Sequence, residues 1–273
     1  MSGLPPIAIT VAPNGSFKTK ADHPAVPLTA AELARCAAEC RDAGAAMIHL
    51  HVRDADGRHL LDADAYRDAT KAVRAAVGEA MVIQITSEAA GRYQAPEQMA
   101  VVTAVWPEAV SVALREIVRA EDDVSAASRF FDELAHERVA TQLILYSAED
   151  LASYRALRAR GALSDAPLSL LFVLGRYVEG QRSSPADLLP FLSSPVEEPW
   201  SVCAFGPREC ECVTAAALLG GHVRVGFENN LLLPNGAQAP DNAALVGGVA
   251  RALEAVGRRL ASADELRSLS GMI

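Results

Sequence analysis

The chain of 273 residues is 51% hydrophobic and 22% charged, with 34 acidic residues against 25 basic ones and a net charge of −9. It is long enough to bury a large core without staples. It carries no lysine- or arginine-rich run of the kind a nucleic-acid surface needs, and no apolar stretch of bilayer-spanning length. The five cysteines (Cys36, Cys40, Cys203, Cys210 and Cys212) are odd in number, which argues against a disulfide framework and for a reducing cytoplasm. The opening MSGLPPIAITVAPNG has no basic region followed by a long apolar core, so no signal peptide is expected.

Short apolar runs alternate with helical patterns along the chain. The runs are Ile7–Ala12, Met47–Val52, Met81–Thr86, Ala109–Leu114, Thr141–Tyr146, Leu168–Leu174, Ser201–Phe205 and His222–Phe227. Near-continuous Ile, Val, Leu and Ala is the pattern of strands covered on both faces, as in parallel sheets. Between them, Thr29 precedes Glu32 by three residues, a capping box, and Asp64, Pro96, Ser147 and Asp241 mark other helix starts. Cys210 and Cys212 read as ordinary helix-start residues, because a one-residue gap is not zinc-loop spacing. Eight strand–helix units of about 30 residues predict an α/β fold closed into a single (β/α)8 TIM barrel spanning residues 1–273, with an open doubly wound sheet as the alternative. Barrel chemistry sits at the C-terminal ends of the strands.

Taken in order, those ends supply the candidates. The first ends in Asn14-Gly15, a turn signal, with Phe17 just beyond; Asn14 and Phe17 are candidate substrate contacts. The second carries His49 and His51, which a strand's period of two places on one face, as a pair of metal ligands or as two satisfied structural histidines. The third ends in Thr86-Ser87-Glu88 and the fourth in Ser111 followed by Arg115-Glu116. Their hydroxyls either orient a bound carboxylate or carbonyl or cap the next helix, and Arg115 and Glu116 either act on a ligand or pair with each other. Gly175-Arg176 and Gly206-Pro207-Arg208 follow the sixth and seventh strands as weak anion-site signals. The eighth carries Arg224, Glu228 and Asn229. Strands two and eight flank strand one, so Glu228 reaches the histidine pair, and two His plus one carboxylate with open positions suits zinc or iron(II). His222 starts the eighth strand at the opposite end and reads as structural, and His23, His59 and His136 as ordinary loop or helix histidines.

The segments VAPNGSFKTKADHPAVPLTAAEL, DAGAAMIHLHVRDADGRH and GGHVRVGFENNLLLPNGAQAPDNAALV resemble the β-keto acid cleavage enzymes, the family of 3-keto-5-aminohexanoate cleavage enzyme, and the resemblance runs from Ile7 to about Arg267. It implies a cytoplasmic, tetrameric zinc barrel that converts a β-keto acid and acetyl-CoA into acetoacetate and a new acyl-CoA. It places the zinc ligands (another divalent metal being the alternative) on His49, His51 and Glu228 and an active-site arginine on Arg224. Three departures stand out. Asn229 replaces the Asp that commonly follows the ligand Glu and pairs with the arginine, so either Arg224 acts differently or another carboxylate, Glu116 or Glu88, serves as base. Phe17 replaces a Glu that meets a substrate ammonium, so a neutral or apolar β-keto acid is expected. Thr86-Ser87-Glu88-Ala89 and Arg115-Glu116 replace stretches of small residues. The competing expectations are a metal-dependent lyase or hydrolase that does not use CoA, and a metal-binding barrel without activity.

Overall fold

The structure is a computed structural model that describes residues 4–163 and 167–269. In chain order it runs β1 (Ile9–Val11), α1 (Ala30–Asp42), β2 (Met47–Leu50), β3 (Val52–Arg53), β4 (His59–Leu60), α2 (Ala63–Val77), β5 (Val82–Thr86), α3 (Ala95–Val105), β6 (Ala109–Ala113) and α4 (Leu114–Ile117). It continues with α5 (Val124–His136), β7 (Ala140–Leu145), α6 (Ala148–Ala159), β8 (Leu168–Leu174), β9 (Trp200–Ala204), α7 (Glu209–Leu218), β10 (His222–Val225), α8 (Asn242–Ala255) and α9 (Ala263–Leu269). Eight parallel strands close in the order β1-β2-β5-β6-β7-β8-β9-β10, with β10 returning to β1, while β3 and β4 form a small antiparallel pair outside the barrel. Each of the eight apolar runs supplies one barrel strand, and the barrel replaces the open-sheet alternative.

The strands are buried along nearly their whole length, because helices cover the outer face while side chains fill the interior. Thr29 caps α1 as expected: its hydroxyl accepts from Glu32 N at 3.2 Å, and Glu32 returns a bond to Thr29 N at 3.1 Å, an arrangement worth about 1 kcal/mol. Ser147 and Asp241 cap α6 and α8. The α2 cap is Asp62 rather than Asp64, which lies inside the first turn, and Pro96 follows the first residue of α3 instead of opening it. After β8 the covering element is one 3-10 turn, Pro185–Leu188, in place of a full α-helix. No helix among the described residues is long and apolar enough to cross a membrane.

Closure puts β10 and β2 on either side of β1, with Val11 opposite both Val225 and Ile48. The loops after these three strands therefore meet at one rim. Gly226 follows β10 at φ +141°, and a Cβ there would strike the Ala12 carbonyl. Only glycine lets the chain leave the strand and carry Glu228 back over β1, where Glu228 N bonds to Ala12 O at 3.1 Å.

Candidate metal centre and the cavity beside it

His49 and His51 project from the end of β2 toward the barrel axis, both almost fully buried, with their Nε2 atoms 3.0 Å apart. Their outer nitrogens fix the tautomers. His49 Nδ1 donates to Gln84 Oε1 at 2.8 Å, its partner across the β2–β5 register. His51 Nδ1 lies 3.0 Å from the Ser16 hydroxyl, whose own proton goes to Glu88 Oε2 at 2.6 Å; Nδ1 must therefore be the donor. In the neutral rings both Nε2 lone pairs then face each other at a separation that repels unless a cation lies between them. Burial, reinforced by Arg224, keeps His49 well below the usual histidine range and hence neutral.

Glu228 completes the group. Its Oε2 is 3.9 Å from His49 Nε2 and 3.6 Å from His51 Nε2, and one ligand atom from each of the three residues falls within 4.8 Å of the others. Burial alone would raise this carboxyl, but Arg224 and the two histidines outweigh it and hold it well below its ordinary value, so it is a carboxylate. Two imidazoles, each with its far nitrogen already engaged, and one carboxylate oxygen fit a divalent ion.

Arg224, 3% exposed, donates from Nη2 to Glu228 Oε2 at 2.6 Å. Its Nε and Nη1 have no partner among the described residues. Two unanswered guanidinium donors in a buried setting are unfavourable by about 1–3 kcal/mol each unless an anion arrives. They border a small cavity of about 20 Å³ whose polar side is made by His49, Thr86, Glu88, Arg176, Arg224 and Glu228. Glu88 stands across it, held by Ser16 and by Arg176 Nη2 at 3.3 Å. The Arg176 guanidinium sits 5.1 Å from the Phe17 ring and 4.9 Å from the Phe205 ring, which puts the exposed Phe17 at the rim.

Other sequence candidates face elsewhere. Asn14 is fully buried, with its amide donating to Pro27 O and His51 O and accepting from His51 N, so it braces the histidine strand. Arg115 and Glu116 do not pair. Arg115 bonds Asp150 at 2.5 Å and stacks on Tyr146, whereas Glu116 turns behind the wall to accept from Ala89 N and Gln98 Nε2. Helix α4 begins at Leu114 and sends the two neighbours in different directions. Ser87 donates to Ser111 O, and the buried Ser111 hydroxyl has no partner among the described residues. His59 is no ordinary loop residue: it is buried, its ring centroid lies 5.2 Å from that of His51, and its Nε2 bonds Glu88 O at 2.8 Å.

Sequence reading missed Glu209. This first-turn residue of α7 is fully buried, and its carboxyl accepts from Gly226 N at 3.1 Å, Asn229 Nδ2 at 3.2 Å and Asn230 Nδ2 at 3.3 Å. It thus clamps the loop that presents Glu228. Burial lifts its pKa to about 8 against the pull of those three donors. A carboxyl that binds its proton more tightly folded than unfolded supports the fold fully below pH about 4.5 and loses that support as pH rises to about 8. At about 1.4 kcal/mol per tenfold change in proton affinity this amounts to a few kcal/mol. Denaturant titrations of wild type and Glu209→Gln at pH 5, 7 and 9 should show the variant gaining on wild type at each step. A difference independent of pH would mean that Glu209 is ionised throughout.

A closed parallel barrel whose C-terminal rim carries a histidine–carboxylate group able to hold a metal ion, beside an arginine with two unpartnered donors, is the architecture of an α/β-barrel enzyme. The model of the beta-keto acid cleavage enzyme family matches residues 6–272, and the chain belongs to that family. A 3-keto-5-aminohexanoate cleavage enzyme of Fusobacterium nucleatum is 30% identical over 96% of this chain and 97% of its own length. A 3-oxoadipate:acetyl-CoA acetyltransferase of Cupriavidus necator is 26% identical over 98% and 95%. Among solved structures, apo ObcA shares the fold with a TM-score of 0.73 at 18% identity, over 91% of this chain and 66% of that one.

Proposed function

We propose that this enzyme cleaves a β-keto acid with acetyl-CoA, giving acetoacetate and a new acyl-CoA, at a zinc site made by His49, His51 and Glu228. The observation that carries the reading is the pair of unpartnered Arg224 donors beside that site, an arrangement suited to a carboxylate bound next to a metal. Relatives named for acetyl-CoA acetyl and trimethylamine transfer, on different keto acids, support acetyl-CoA as the second substrate. The same reading makes the protein a cytoplasmic homotetramer, as the family resemblance implies.

A divalent ion there would supply Lewis-acid pull on the keto and carboxylate oxygens of the substrate. The chain does the rest. Arg224 donates to the carboxylate from a nitrogen that Glu228 leaves unengaged and stabilises the negative charge that develops when the carbon between the two carbonyls loses its proton. Glu88, on the cavity wall and fixed by Ser16 and Arg176, takes that proton, since Asn229 is neutral and Glu116 faces away. Thr86 keeps the Glu88 backbone in place, its hydroxyl accepting from Glu88 N at 3.0 Å. The carbanion attacks the acetyl thioester and releases CoA thiolate. The thiolate adds to the former keto carbon, the bond from that carbon to the central one breaks, and the central carbon regains a proton to leave as acetoacetate.

Acetyl-CoA labelled in both acetyl carbons tests this. Both labels should emerge in carbons 3 and 4 of acetoacetate, with unlabelled acyl on CoA. Cleavage of the keto acid without CoA would instead establish the lyase or hydrolase alternative.

A further inference from the structure

The cavity has two unlike halves. The metal ligands, Thr86, Glu88 and Arg224 make one side. The other is made by Ile144 of β7, Leu171 and Val173 of β8, Cys203 of β9 and Phe205 just beyond. These five pack into one buried cluster with Ala113, and Tyr146 closes its edge. Burial raises both the Cys203 thiol and the Tyr146 phenol, so both stay neutral near pH 7. The nearby cations are already engaged: Arg115 by Asp150, and Arg176 by Glu88 and two aromatic rings.

We infer, on the acyl-transfer reading above, that the wall formed by Ile144, Leu171, Val173, Cys203 and Phe205 determines specificity and selects β-keto acids with a short, uncharged, apolar acyl group. A substrate whose carboxylate meets Arg224 lies on the polar side, and its acyl group extends from the keto carbon toward the opposite wall. An ammonium against that wall finds no unengaged carboxylate: Glu88 is held by Ser16 and Arg176, Glu228 by Arg224, and Glu116, the acid that sequence placed on this side, faces Ala89 and Gln98 instead. A second carboxylate finds no free cation among the described residues. A charged group buried without a partner is strongly disfavoured, whereas each methylene laid on such a wall gains. The cavity is small, about 20 Å³, which limits how many methylenes fit.

The test compares specificity constants for 3-oxohexanoate, 5-amino-3-oxohexanoate and 3-oxoadipate, each with acetyl-CoA, in wild type and Val173→Asp. Wild type should favour 3-oxohexanoate over either charged acid by roughly 100-fold or more, and lengthening or shortening its chain by one methylene should change kcat/KM by about 10-fold. Val173→Asp should lower the neutral substrate and raise the amino substrate relative to it. If that variant does not fold, Val173→Ala should move the optimum to a longer chain. A higher wild-type specificity constant for either charged acid overturns the inference while leaving the acyl-transfer reading intact. If none of the three acids yields acetoacetate, the acyl-transfer reading fails and the inference fails with it.

Discussion

Arg224→Lys lowers kcat/KM by roughly 10²–10³-fold while metal content stays at the wild-type level, the loss expected for removing an oriented charge-stabilising donor. Arg224 does two jobs from one planar group: Nη2 holds Glu228 while Nε and Nη1 remain for a ligand. Lysine keeps the charge but offers a compact ammonium on a flexible stem, which serves the carboxylate of Glu228 or that of a substrate but not both in a fixed plane. The three proposed metal donors remain in place, so steady-state kinetics and elemental analysis on the same preparation separate the two roles. Wild-type turnover in this variant would make Arg224 a structural partner of Glu228 and nothing more.

His49→Ala, His51→Ala and Glu228→Gln each weaken metal binding at least ~100-fold, taking the removal of second-shell support, worth 10–100-fold, as the lower bound for losing a ligand. Activity falls with the metal. The three variants differ in a second respect. The histidine variants lose an imidazole and keep the Arg224–Glu228 pair. Glu228→Gln leaves a buried guanidinium without its counter-charge, which destabilises by about 3–5 kcal/mol. Metal analysis together with thermal unfolding should therefore show three metal-poor proteins, of which Glu228→Gln melts lowest. Full metal occupancy in any of them would remove that residue from the ligand set.

The barrel was legible because parallel strands buried on both faces leave unbroken apolar runs, and eight of them stand out from the helical patterns between them. The His49–His51 pair was legible from the strand period of two, and Glu228 from the flanking of β1 by β10 and β2. Less could be read about what supports them. Gln84 meets His49 only through the β2–β5 register, and Ser16 reaches His51 and Glu88 only after a loop folds back; neither relation is local in sequence. Glu209 looked like any acid in a first helical turn, and its burial against Asn229 and Asn230 depends on how two distant loops pack. Arg115 and Glu116, read as either ligand contacts or a mutual pair, are neither, because adjacency in sequence says nothing about direction once a helical turn begins between a strand and its loop.

The most direct measurement is acetoacetate formation from acetyl-CoA and a neutral β-keto acid as metal is stripped from the wild-type enzyme with a chelator and returned in small steps. Activity should vanish in the metal-free protein and rise linearly to a plateau at one ion bound per chain. Undiminished acetoacetate formation by the metal-free protein would contradict a reaction centred on His49, His51 and Glu228.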